Sequence, residues 1–380
     1  MPFTPINYPK GVSSQPPRSA IKTLPAVPNP VQIVKQEDFL PYRSGDYTLT
    51  QTNGAAAQFA FNGGAVQVST TGSTAADKAA LALPSLSFQM VQGNAMWFDT
   101  KIAIRPASAT DTNIFTGLFG SVDPTAATDG IYFLKPSGGT TVNVVIKKGG
   151  TTTTFQNIGD VSKPSGIYND GNSVAGTLSG TISGGALTAI AVATAGSGYQ
   201  QAPILVVGPG AGSNGYAYCQ IGSTAYGAQS YYQSSLTSTQ IQYGSLYAPY
   251  VMNGGSGYTN GAASIDVCHL LDFQMFFDGK GTAAFAINGR PVLRLGATVS
   301  EQPPILVAAG ATTNVATSAS NYFGFSTTVS TSLYPVQPPT SSIMFVLPTL
   351  PLEWATALQN TTANPRVMFI DEYTVGTELN

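Results

Sequence analysis

Apolar and polar residues alternate one for one in run after run of this chain, and each run is short. In AMWFDTKIAIR (residues 95–105), Phe98, Ile102 and Ile104 fall on one side and Asp99 and Lys101 on the other. In LLDFQMFF (270–277), Leu271, Phe273, Met275 and Phe277 oppose Asp272 and Gln274. A period of two sends successive side chains to opposite faces of an extended strand, so each run reads as a half-buried strand of an antiparallel sheet. Turn residues separate the runs. FAFNGGAVQV (59–68) reads as a hairpin around Asn62 and Gly63, and DGIYFLKPSGGTTVNVVIKKGG (129–150) as another. Residues 270–295 read as a three-stranded meander that turns at DGKG and at Asn288 with Gly289. Further strands are expected at 321–329, 342–348 and 366–375, and PLEWATALQN (351–360) is the one segment that could be a short helix. About nine or ten such strands imply an all-β fold, an antiparallel jelly-roll sandwich.

The alternation lapses between Val174 and Cys268 and resumes directly afterwards. Within that block GALTAIAVATAGSGY (185–199) and GSLYAPYVMNGGSGY (244–258) align without a gap and share the closing GSGY, which marks a duplicated small unit. The block holds one charged side chain, Asp266, but ten of the 18 tyrosines. It reads as an inserted small β domain, 174–268, within a sandwich made of 46–173 plus 269–380. Its glycines suit tight turns with positive φ, each followed by a tyrosine that caps the unit's core. A surface with so little charge either packs against copies of itself or presents a neutral, tyrosine-rich face. Stacking of sugar rings on those tyrosines is the sharper reading of the same residues.

Residues 1–45 carry nine prolines, too closely spaced for a helix and poorly placed for a central strand. They read as an extended arm. Lys10, Arg18, Lys22, Lys35 and Arg43 outweigh Glu37 and Asp38 there, although the whole chain has a formal charge of −2. The arm is either a flexible leader or a strap that orders on a partner's surface. As a strap its contacts are Pro16, Pro17, Arg18, Ile21, Lys22, Leu24, Val31 and Ile33. The overall charge gives no general attraction to nucleic acid or to an anionic membrane, and no apolar run approaches a membrane span.

Acid–base and nucleophilic chemistry need positioned titratable groups, and this chain offers few. His269 is the only histidine and reads as a boundary residue with one local hydrogen bond. With Cys219 and Cys268 it makes thin material for a zinc site. The two cysteines read as buried thiols, with a bridge as the alternative. Acidic residues fall mostly in turns, and Asp371 and Glu372 point to opposite faces of one strand. No catalytic residue, metal ligand or cofactor site is expected.

The outer domain resembles the concanavalin A-like jelly-roll structural proteins of tailed bacteriophages. The likeness is carried by AMWFDTKIAI (95–104), GLFGS (117–121), the 129–150 hairpin, DFQMFFDGKGTAAFAINGRPV (272–292) and LQNTTANPRVMFIDEYTV (358–375), in that order. The central unit is similar to the glycine-rich GSGY repeat inserted in phage virion proteins, followed here by APILVVG (202–208) and AASIDV (262–267). The resemblance implies a non-enzymatic virion protein, first a capsid decoration (cement) protein that stabilises the assembled head. Its partners would be the major capsid protein and copies of itself, in a trimer by family habit, and its location the capsid surface ahead of the tail. The alternative is a tail or head fibre adhesin that binds host surface glycans through the insert, with Tyr199, Tyr231, Tyr232 and Tyr258 as exposed contacts. An enzymatic rival is a polysaccharide depolymerase on a lectin-like sandwich.

Overall fold

A computed structural model of the chain describes residues 31–37, 44–54, 56–59, 65–88, 95–208, 212–222, 244–277, 283–295, 309–310, 313–314 and 351–378. These residues form antiparallel strands with two short 3-10 turns. An 8-stranded sheet runs β19 (Arg290–Leu295), β18 (Ala283–Ile287), β17 (Leu270–Phe277), β6 (Met96–Ile104), β23 (Arg366–Glu378), β4 (Val66–Thr70) and β3 (Ala56–Phe59). Its eighth strand, β1 (Val31–Glu37), pairs with the C-terminal half of β23, beyond β4 on the same edge. A 7-stranded sheet runs β10 (Thr151–Asp160), β9 (Thr141–Lys148), β8 (Gly130–Lys135), β7 (Thr112–Phe119), β22 (Leu352–Asn360), β5 (Lys78–Phe88) and β2 (Thr48–Gln51). A two-residue pair, β20 (Ala309–Gly310) with β21 (Thr313–Asn314), stands apart. The two large sheets enclose one core and make an antiparallel jelly-roll sandwich.

The inward-facing half of each alternation builds that core. Phe98, Phe273 and Phe285 of the first sheet surround Phe133 of the second, with ring centroids 6.3, 5.0 and 5.8 Å away. Trp354 stacks on Tyr373 at 4.1 Å, and its indole N–H donates to Thr100 across the sandwich. The expected meander is β17–β18–β19, and Asn288 and Gly289 both take positive φ, as a tight two-residue hairpin turn requires.

Two expectations are corrected here. Residues 352–360 are not a helix but the central strand β22, held by β7 on one side and β5 on the other. Leu, Glu and Ala favour a helix locally, but Leu352, Trp354 and Leu358 recur at even spacing and are buried in the core, so tertiary pairing overrides propensity. The polar side of β6 and β17 is likewise not exposed: Asp99, Lys101, Asp272 and Gln274 are all buried. The strands expected at 321–329 and 342–348, and the turn at Asn62 and Gly63, lie outside the described residues.

A third sheet, of 6 strands, is built wholly from the central block. Its order is β12 (Ala186–Thr194), β11 (Thr177–Ser183), β16 (Gly261–Cys268), β13 (Ile204–Val207), β14 (Ser213–Gly222) and β15 (Ser245–Ser256). Its first and last strands also pack together, which curls it toward a barrel around Leu178, Leu187, Tyr199, Leu205, Cys219 and Leu246. Both cysteines are free and buried.

Candidate functional site

The two GSGY motifs share one backbone feature. Gly196 and Gly198 in the first, and Gly255 and Gly257 in the second, all have positive φ. A Cβ on Gly198 would sit 2.3 Å from the Ser173 hydroxyl, so the turn tolerates only glycine there. Each turn delivers its tyrosine to the same task. The Tyr199 hydroxyl accepts from the Gly176 N–H at 2.8 Å, and the Tyr258 hydroxyl accepts from the Gly215 N–H at 2.8 Å. Tyr199 is therefore a core residue, 1% exposed, and burial pushes its phenol up to about 12. Tyr258 packs half-buried against the same core. The exposed role expected of Tyr199 is corrected: its buried phenol satisfies a backbone donor that would otherwise be orphaned, while Tyr258 makes the same kind of bond from a half-buried position.

Exposed aromatic surface sits instead on the β14–β15 hairpin. Alternation along β14 sends Ala217 and Cys219 inward and Tyr216, Tyr218 and Gln220 outward. Tyr218 lies directly opposite Tyr250, with ring centroids 5.4 Å apart and planes at 50°. They are 38% and 48% exposed, and Met252 beside them is 50% exposed. The register slips on both sides of this pair: Tyr216 pairs with Asn253 but Ala217 with Val251, and Tyr218 pairs with Tyr250 but Gln220 with Tyr247. Each slip puts one extra residue in β15, and at the second Ala248 takes a φ of 45°. Bulges raise local twist and re-aim side chains, and a non-glycine residue at positive φ is strained. The two bulges bracket the Tyr218–Tyr250 pair, and the positive-φ Ala248 lies in the second of them.

The insert is fixed to the sandwich rather than tethered. Arg105, at the end of β6, pairs with Asp266 of β16 and donates to the Val207 carbonyl at 2.9 Å. Beside it Ala103, Leu270 and Phe369 of the first sheet's outer face pack on Ile204, Val206 and Cys268 of the insert. His269 forms the join, its ring edge-on to Tyr199 at 5.6 Å and its Nδ1 3.3 Å from the Val161 carbonyl. Asp266, the insert's only charge, is thus spent on the mounting, and the described hairpin carries none.

One step further along the same outer face lies a buried polar row. Lys101 sits between Asp272 and Glu372 in the pairing, and Asp99 between Gln274 and Thr374. Lys101 Nζ meets Glu372 Oε2 at 2.8 Å, and the Gln274 amide donates to Asp272 at 2.9 Å and reaches Asp99 at 3.5 Å. Burial and the neighbouring Asp272 hold Asp99 well above the usual carboxylate range, and burial raises Asp272 too. Burial opposes the charge on Lys101, but Glu372 and Asp272 outweigh it and raise its pKa. Two carboxylates so close share a proton. Asp99 and Asp272 are 2% and 6% exposed, so the row is buried beneath the outer face. Among the described residues no group of three or more His, Cys, Asp or Glu is arranged to hold a metal.

Of the expected contacts, Tyr231 and Tyr232 lie outside the described residues, as do Pro16, Pro17, Arg18, Ile21, Lys22 and Leu24. Val31 and Ile33 belong to β1, opposite Glu378 and Gly376 of β23. Tyr218 and Tyr250 escaped the sequence reading, although the alternating GYAYCQ (215–220) carried the signal for one of them.

No protein-family model matches the chain, and no curated protein matches it. Among solved structures it is similar to an endo-1,3-beta-glucanase from Streptomyces sioyaensis, at 8% identity and a TM-score of 0.40, over 94% of this chain and 99% of that one. It is also similar to a protein of unknown function from Shewanella oneidensis MR-1, at 8% identity and a TM-score of 0.36, over 95% and 93%. A third is a carbohydrate esterase from the Shiga toxin-encoding bacteriophage phi24B, at 7% identity and a TM-score of 0.33, over 92% and 100%. None of these likenesses carries an argument about what this chain binds. The sandwich stands on its own sheet order and core.

Proposed function

We propose that this chain is a non-enzymatic adhesin, a jelly-roll sandwich that holds its insert rigidly so that the insert can bind surface glycans. The observation that carries this reading is the exposed Tyr218–Tyr250 pair, placed between two bulges on an uncharged hairpin. Exposed aromatic faces gain from stacking on the C–H faces of sugars, and rigid mounting lowers the entropy lost on binding. The phage resemblance assigns such an adhesin to a virion, on a tail or head fibre. The test is a glycan array probed with the full chain. Saturable binding to one or more glycans is expected; a blank array overturns the reading.

Capsid decoration belongs to the same virion proposal, but its contacts fall on the arm. Removing residues 1–30 separates the two roles. If the arm is a strap on the major capsid protein, the truncated chain loses head binding and keeps glycan binding. Unchanged coating of heads makes the arm a leader.

A further inference from the structure

We infer that the Tyr218–Tyr250 pair on the β14–β15 hairpin is a stacking site for a neutral polysaccharide chain. The inference rests on the glycan reading above and names the class of glycan. Charge decides first. The block from Val174 to Cys268 has Asp266 as its one charged side chain, and Arg105 of the sandwich neutralises it on β16, two strands away from β14. An anionic glycan needs arginine or lysine to offset the desolvation of its carboxylate or sulfate, and the hairpin has neither. A cationic ligand would look for a carboxylate, and the hairpin has none.

Size decides next. Two rings 38% and 48% exposed offer roughly 200 Å² of aromatic surface, since an aromatic side chain buries about 150–250 Å² in all. A stable protein partner takes roughly 800 Å² from each side, with an apolar centre. Among the described residues the large hydrophobic side chains left exposed are Tyr218, Tyr250, Met252 and Val174, too few for such a centre. A narrow aromatic strip with polar flanks suits a sugar chain.

Geometry completes the fit. Planes meeting at 50° with centroids 5.4 Å apart form a bent trough that touches successive rings of a polymer rather than one isolated sugar. Exposed Gln220 and Asn253 stand at the two ends of the pair. The Asn253 amide oxygen accepts from the Gly255 N–H at 2.9 Å, which turns its NH2 into the donor offered to a hydroxyl. Such neutral donors and acceptors match hydroxyl groups without a charge on either side. The two bulges flank the trough and increase the local twist of the hairpin.

The test is native affinity electrophoresis of the full chain through gels containing dextran, mannan or a mixed-linkage β-glucan as neutral probes, and alginate or hyaluronate as anionic probes. Retardation by at least one neutral polymer is expected, insensitive to salt. Tyr218→Ala and Tyr250→Ala are each expected to weaken it about tenfold or more, while Tyr218→Phe and Tyr250→Phe retain it, because stacking uses the ring. Melting curves check that each variant is folded, and Tyr218→Gln with Tyr250→Gln repeat the test if an alanine variant is not. Retardation by the anionic polymers alone, lost at high salt, overturns the neutral class and leaves the glycan reading standing. Neutral binding that survives both alanine variants overturns the hairpin site. Retardation by none of the polymers overturns the inference, and a blank array then removes the glycan reading with it.

Discussion

His269 and Asp99 are both held uncharged by the fold, and they answer to pH with opposite signs. Burial lowers His269 from 6.5 to about 4. Between those values the unfolded chain binds a proton that the native chain refuses, so stability falls as pH falls through that window, by roughly 3 kcal/mol in all. The variant His269→Gln is expected to flatten that slope, measured as denaturant midpoints from pH 7 to pH 4. Asp99 is raised by burial and by Asp272, so its native form keeps a proton that the unfolded chain releases above pH 3.8. Stability is therefore lost as pH rises from there through the raised native value. Replacing the carboxyl by an amide in Asp99→Asn removes the titration and offers Asp272 an N–H donor. The variant is expected to gain on the wild type at pH 8 relative to pH 5 in chemical denaturation, and equal losses at both would contradict the shared proton.

At the scale of elements, the join between sandwich and insert depends on Arg105. Arg105→Ala removes an ion pair and a hydrogen bond and leaves Asp266 without its cation, at an expected cost of about 2 kcal/mol. A double-mutant cycle with Asp266→Ala measures the coupling, expected near 1 kcal/mol or more; simple additivity would mean that the apolar patch alone carries the join. Strands whose partners are close in sequence were legible beforehand. The 129–150 hairpin and the β17–β18–β19 meander pair locally, so alternation and turn residues suffice to read them. The sequence leaves 351–360 open to a short helix because one of the neighbours of β22, β5, lies some 270 residues earlier, and nothing local reports that pairing. The outer face of β6 looked solvated for a similar reason: alternation shows two faces but not what covers the second. For the site, GSGY drew attention to Tyr199 and Tyr258 because the motif is conspicuous. A buried phenol bonded to a backbone N–H and an exposed one have the same letter in the sequence. The bulges that turn Tyr250 outward exist only in the β14–β15 register.

At the scale of the whole molecule, the sandwich serves as a mount. Its first sheet spends one end of its outer face on the insert and buries a charged row beside it, and the glycan site proposed above rides on the uncharged hairpin of that insert. Hydroxyl-radical footprinting of the full chain, with and without the neutral polysaccharide that retards it, tests this account most directly because it reads side-chain exposure residue by residue. Protection of Tyr218, Tyr250 and Met252 is predicted, with Tyr199 unreactive throughout because it is already buried. Unchanged oxidation of the hairpin, together with protection elsewhere on the sandwich, would contradict it.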